Sequence, residues 1–271
     1  MDKIFTQTII ENFLYILRWL IYSLLFIPFK TLNTKNLRHM ILVLGVVVVS
    51  VGLTQYFIYP DMRWLKDFGW DDHYYRLIGS FLDPNFTGII IVLFLIFLLE
   101  TSEHWLLWST SFLALALTYS RSSYLAFLIS MTYIAWKRKS WQFITLILLL
   151  FTVTVTLLPR SSSGEGVKLE RTASVYSRFT NWQDTWTIFL KHPILGAGFS
   201  SFKSDSSLLY ILAAAGIPGL LLYLVYLKNI PPVYLVPLLV HSLFVNSLFY
   251  PPVMVWLSLL IAFQKRSQNG H

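Results

Sequence analysis

Four residues have a type and setting that suit chemistry on an anion: Arg76, Arg121, Arg178 and Asp205. A guanidinium pairs bidentately with phosphate oxygens, so several on one wet face would suit a diphosphate or another doubly anionic group. Arg76 opens RLIGSFLDPN, where Asp83-Pro84-Asn85 reads as a turn and N-cap for the next helix. Arg121 stands in TYSRSS, a tight turn with three serines around it, and Arg178 opens an amphipathic segment. Asp205 directly precedes a long apolar run. Partial desolvation there would raise its carboxyl from an ordinary pKa of about 4 towards that of a usable base. Plainer readings stand beside these: snorkelling for Arg76, a headgroup contact for Arg178, and a helix cap for Asp205. His241 and Asn246, in HSLFVNSLFYPP, sit in an apolar run. Polar side chains there serve either a substrate or a helix–helix hydrogen bond.

Other chemistries find less support. The chain has no cysteine, hence no disulfide framework, thiolate metal site or thiol nucleophile. Asp71-Asp72-His73 reads more as a solvated loop than a cation site, so no metal is expected. Gly196-Ala197-Gly198 lacks the strand–helix context of a nucleotide-binding loop. The net charge of +8 sits largely in loops flanking apolar runs, and no nucleic-acid-binding signature accompanies it.

The elements that position these residues are membrane helices. Of 271 residues, 56% are hydrophobic and only 13% charged, with a mean hydropathy of +0.61, against about 25% charged in soluble domains. Runs such as 40–57 and 143–158 carry no charge, as hydrocarbon demands. Ten tryptophans and fifteen tyrosines fit interfacial belts. The apolar runs predict nine spans, near 9–29, 40–59, 85–99, 105–119, 124–136, 141–158, 206–227, 233–246 and 253–263. Glu11 and Arg18 interrupt the first, and no small-residue site follows it, which argues against a cleaved signal peptide. Basic clusters at Lys30–Arg38, Lys137–Lys139, Lys228 and Lys265-Arg266 then fall on one side, the cytoplasmic one. The turn at Arg121 and the loops 60–84 and 159–205 face outside, with the short acidic turn at Glu100–Glu103 inside. The chain reads as a single integral membrane domain, 1–271, without a soluble domain, an internal repeat, or low-complexity sequence beyond Ser161–Ser163.

Residues 177–219 organise this layout. Phe179, Trp182, Trp186 and Phe189 recur at helical spacing on one face of an amphipathic helix lying in the membrane surface, with Arg178, Asn181, Asp184 and Thr185 between them. Pro193 ends that helix, Gly196–Gly198 makes a turn, and Asp205 stands at the mouth of the next span. A re-entry loop anchored by tryptophans is the plainer alternative to a site.

Five segments occur in the order seen in the O-antigen ligase and polysaccharide polymerase (Wzy-type) family. They are RLIGSFLDPNFTG, TYSRSS, SRFTNWQDTWTIFLKHPILGAGFSSF, DSSLLYILAAAGIPGLLLY and HSLFVNSLFYPP. The first resembles that family's R-x-x-G-x-x-x-x-P-N element. The third resembles W-x-x-A-x-x-x-F-x-x-x-P-x-x-G-x-G, with Thr185 where a small apolar residue is common. The resemblance runs from about Arg76 to the C-terminus, in a chain shorter than most members. It implies an all-α, polytopic GT-C-like bundle with an amphipathic helix in a large outer loop. Its implied activity is a membrane glycosyltransferase acting on glycans carried by undecaprenyl diphosphate, outside the cytoplasmic membrane, with no cofactor, metal or sugar nucleotide. Its implied partners are the lipid-linked donor and acceptor, the bilayer, a chain-length regulator and a flippase.

The resemblance carries over Arg76, Arg121 and Arg178 as diphosphate or glycan contacts; beside it, Asp205, Arg178 and Arg121 are expected in catalysis, and Arg76, Asn85, Trp182, His241 and Asn246 in substrate binding. In the ligase branch a histidine stands eleven residues before the glycine of GIPG. Here that glycine is Gly216 and the position holds Asp205, which favours a polymerase of lipid-linked repeat units. A ligase that delivers the glycan to lipid A core or protein is the alternative. A transporter of an anionic substrate is the rival from another class. The lack of an inverted repeat and the gathering of charge on one face speak against it.

Overall fold

A computed structural model of the chain describes residues 2–102, 105–157 and 173–269. Glu103, Ser161–Ser163 and the first part of the expected outer loop 159–205 lie outside the described residues. The fold is all-helical, 78% helix, with no strand among the described residues. The chain divides into two compact units. One comprises residues 1–37, 172–235 and 242–271, the other residues 38–171 and 236–241.

The first unit is built on α1 (Asp2–Leu24), α2 (Phe26–Phe29), α8 (Ala173–Lys191), α9 (Ser207–Leu227) and α11 (Pro251–Asn269). On α1 the usual pattern is inverted. Ile9, Phe13, Leu14, Leu20, Ile21 and Leu24 are exposed, whereas Ser23 is buried and Asn12 and Trp19 are half-buried. Lipid tails are as apolar as leucine, so a membrane helix gains by turning its polar and aromatic side chains towards protein. Trp19 packs on Tyr223 and Tyr226 of α9, and Ser258 of α11 donates to the Tyr22 carbonyl at 3.3 Å.

The second unit surrounds α4 (Pro84–Glu100). Residues Ile89–Leu98 of α4 are at most 1% exposed, and a helix apolar all round belongs in a core. It is flanked by α5 (Trp105–Leu117) and α6 (Arg121–Lys137), with α7 (Trp141–Leu157) on α6. The larger part of α3 (Thr34–Ile58) and the end of α10 (Pro232–Ser242) complete the unit. Asp83 caps α4 by accepting from the Asn85 and Phe86 N–H groups, with Pro84 in the first turn, as the sequence predicts.

Each expected span falls on a helix. Among the described residues three stretches, Ile9–Phe29, Thr34–Ile58 and Ser207–Leu227, are by length and composition able to cross a membrane, with shorter apolar helices at Pro84–Glu100, Trp105–Leu117, Trp141–Leu157 and Pro232–Ser242. The helix expected over 233–246 ends earlier, at Ser242, leaving Asn246 directly before a short 3-10 helix, Ser247–Phe249. The paired prolines at 231-232 and 251-252 begin helices, where a missing N–H is harmless.

α9 is broken inside. Gly216 adopts φ 67° and ψ −168°, and Pro218 brings no N–H to the helix. Without that ladder the carbonyls of Ala213 and Ala214 need other donors, and the turn after α8 supplies them. The Ala197 N–H donates to Ala213 at 2.8 Å and the Gly198 N–H to Ala214 at 3.0 Å, while the Ile217 N–H donates back to the Pro193 carbonyl at 3.0 Å. The P-x-x-G-x-G element and the GIPG element are thus two halves of one interlock. Gly196 (φ 71°) and Gly216 are glycine because a Cβ at either would overlap backbone of the other segment.

Candidate functional site

The predicted site residues fall into two groups, one in each unit. In the first unit, α8 presents Arg178, Asn181, Trp182, Thr185, Ile188 and Phe189 to its surroundings as the packed face, with Thr185 only 1% exposed. The expected aromatic face is divided: Trp182 and Phe189 are packed, and Phe179 and Trp186 are 61% and 46% exposed. At a lipid boundary aromatic rings gain outside, and the polar side chains gain by turning towards protein. Thr185 tolerates its buried position because its hydroxyl donates to the Asn181 carbonyl one turn back, at 2.7 Å.

Asp205 is not the cap of α9. Ser206 is: its carbonyl accepts from the Tyr210 N–H at 2.8 Å and its hydroxyl from the Leu209 N–H. Asp205 stands one residue outside the helix, half-buried, and its main chain is held from α8. The Asn181 Oδ1 accepts from the Asp205 N–H at 2.9 Å, while its Nδ2 donates to the Lys203 carbonyl at 3.3 Å. Arg178 lies one turn earlier on the same face of α8.

Residues 244–249 complete this group. Phe244 packs on Trp182 with ring centroids 6.0 Å apart, and the Leu248 N–H donates to the Ser207 hydroxyl at 3.2 Å. Trp182 Nε1 and Asn246 Oδ1 are both buried without a hydrogen-bond partner in the fold. Asn12 of α1 supports the loop from below, its Oδ1 accepting from the Phe199 and Ser200 N–H groups at 2.5 and 3.0 Å.

In the second unit, Arg76, Asn85, Arg121 and His241 gather around the serines of residues 120–123. Arg76 is only 5% exposed. Its Nε and Nη2 donate to the carbonyls of Thr118 and Tyr119 at 3.1 and 3.3 Å, at the end of α5. A snorkelling role for Arg76 is therefore ruled out, because its guanidinium caps a helix end inside the unit. The Ser120 hydroxyl caps α6, donates to Asn85 Oδ1 at 2.9 Å and lies 2.9 Å from the Ser123 hydroxyl. Ser123 lies 3.3 Å from His241 Nε2, so His241, fully buried, makes a helix–helix hydrogen bond. Arg121 occupies the first turn of α6, half-buried. A cation at the positive end of a helix is unfavourable for the helix itself, so its presence calls for another reason.

Asp83 also meets Asp71 and His73: one ligand atom from each lies within 4.8 Å of the others. Asp71-Asp72-His73 reads in the sequence as a solvated loop and Asp83 as a helix cap, and their meeting is visible only in the fold. Burial raises the Asp83 carboxyl above its ordinary value, opposed by the N–H groups of Phe86 and Asn85 and by Arg76. Sequence reasoning also missed Asn181, Ser206 and the serine network; Ser120 directly before a helical run was the signal available for the last.

Residues 105–224 match the family model described as O-Antigen ligase. No curated protein matches the chain. The match confirms, over those residues, the resemblance to the O-antigen ligase/Wzy-type family, and it spans Arg121, Arg178, Asp205 and the interlock of Gly196 with Gly216. Together with the apolar helices it indicates a membrane protein that processes glycans, with lipid-linked glycans as the substrates the family implies.

Proposed function

We propose that the protein is a polymerase joining lipid-linked oligosaccharide repeat units, a nine-span protein of the cytoplasmic membrane with its site facing outside. The observation that carries this reading is the placing of Asp205: it stands outside the helical ladder, the cap is supplied by Ser206, and α8 holds its main chain. That placing sets a carboxylate, a group able to take a proton, at the mouth of α9 beside the face of α8 that carries Arg178.

The acceptor is a sugar hydroxyl on one lipid-linked unit, and the donor is the growing glycan on undecaprenyl diphosphate. The hydroxyl oxygen attacks the anomeric carbon as the bond from that carbon to the diphosphate oxygen breaks. Asp205 takes the hydroxyl proton late, when the oxocarbenium-like centre has made it acidic. The leaving diphosphate keeps the bonding electron pair, and Arg178 meets its growing negative charge, the kind of electrostatic term that is often the largest in catalysis. One base opposite the leaving group implies inversion at the anomeric carbon, by analogy with inverting glycoside hydrolysis. Trp182 and Asn246 are sugar contacts, and Arg121 is a further phosphate or glycan contact. Arg76, Asn85 and His241 hold the second unit's polar group in shape.

A ligase is the second reading, favoured by the description of the matching family. It keeps the donor and the chemistry and changes the acceptor to lipid A core or protein. Deleting the gene separates the two. A polymerase defect leaves single repeat units on the lipid carrier, whereas a ligase defect leaves finished polymer there. Unchanged lipid-linked pools would oppose both.

A further inference from the structure

We infer that Asn181 is the positioning residue for Asp205, an inference that rests on the proposed role of Asp205 as the base. Asp205 stands one residue before the Ser206 cap, outside the regular helix of α9. Its N–H is held from α8, donating to Asn181 Oδ1 at 2.9 Å. The other end of the same amide holds the Lys203 carbonyl at 3.3 Å. One planar side chain thus clamps the chain on both sides of Ser204, and a clamp at two points fixes direction as well as place.

The type of residue matters. The contact needs an acceptor towards Asp205 and a donor towards Lys203, and an amide supplies both without charge, on two separate atoms of one short stem. An aspartate would oppose its second oxygen to the Lys203 carbonyl. The amide's own support is rigid: Asn181 lies on a regular helix, and its carbonyl accepts from Thr185, the most buried residue of the packed face. Arg178 is carried by the same face one turn away. α8 therefore sets the position of the base and of the cation together. Displacement of a reacting group by about 1 Å costs about 100-fold in rate, so loosening this clamp should show in turnover and not in binding.

The test is a double-mutant cycle on the full chain in proteoliposomes, with lipid-linked repeat units extracted from the source cells as probe. Rates are taken per mole of membrane-inserted protein. Asn181→Ala should lower kcat about 10–100-fold with KM for the lipid-linked unit unchanged. Asn181→Ser, a milder change at the same position, should give a smaller loss in the same direction. Asp205→Asn should lower the rate at least as far, and adding Asn181→Ala to it should lower the residual rate no further. Multiplying effects would show that Asn181 does not act through Asp205 and would overturn the inference. So would full activity of Asn181→Ala, or a rise in KM alone, and in those cases a dead Asp205→Asn leaves the role of Asp205 standing. A fully active Asp205→Asn removes the base itself, and the inference with it.

Discussion

Gly216→Ala tests the interlock between the break in α9 and the turn that follows α8. Gly216 holds φ 67° and ψ −168°, a region essentially closed to other residues, where strain is about 1–3 kcal/mol. An added Cβ would overlap the Ile194 carbonyl oxygen and stand 2.8 Å from that of Pro193. These are backbone atoms, so relief means lifting the turn from the helix and breaking the bond from Ile217 to Pro193. Each buried backbone group left unpaired costs about 1–3 kcal/mol. Strain plus one or two lost bonds comes to roughly 3–6 kcal/mol, a large share of a domain's stability. Gly69→Ala is the control: φ there is +81°, yet nothing lies within 4 Å of the added atom, leaving only about 1–2 kcal/mol of left-handed strain. Thermal unfolding of the full chain in detergent, with the amount inserted in membranes, reads both. Gly216→Ala should melt far lower and accumulate less than Gly69→Ala. Equal melting of Gly216→Ala and the parent protein would refute the interlock.

Arg76→Ala should destabilise the protein by about 2–4 kcal/mol, because two carbonyls at the end of α5 lose a charged donor inside the unit; an unfolding midpoint equal to the parent's would contradict this. Arg178→Lys and Arg121→Lys keep the charge and lose the planar fork, so both should impair polymer formation at unchanged protein level, and full activity in both would return them to headgroup contacts. Burial pushes the Asp83 carboxyl up, so the folded chain takes its proton more readily than the unfolded chain. Asp83 therefore withdraws stability as pH rises from about 4 through that raised value. Asp83→Asn, which still caps a helix, should flatten this slope in a melting series against pH. Lys203→Cys on the cysteine-free background should react with an impermeant maleimide on intact cells and Lys139→Cys only after permeabilisation; the reverse would overturn the outward-facing site.

Much of the fold was legible because membrane helices declare themselves by apolar runs, and caps by Asp-Pro. The boundary of α9 was off by one residue because Asp205 and Ser206 are both good caps, and only the ladder bond from Tyr210 to Ser206 decides between them. Which of the α8 aromatics would pack was not legible, for a physical reason. Aromatic periodicity marks a core in water, but beside lipid it marks an outward face as readily, as Phe179 and Trp186 do. The glycines of the two motifs were legible as turns, while their meeting was not, since spacing says nothing of which broken carbonyls a distant turn will satisfy. Arg76 illustrates the limit for sites: a guanidinium aimed at a substrate and one aimed at helix-end carbonyls read the same in sequence.

The polymerase reading is tested most directly with the purified chain in proteoliposomes, given lipid-linked repeat units as sole donor and acceptor. The account predicts a ladder of glycans at integral multiples of the repeat, with one undecaprenyl diphosphate released per new bond and both lost in Asp205→Asn. Repeat units that stay single until lipid A core is added, and then appear joined to it, would contradict the polymerase and establish the ligase.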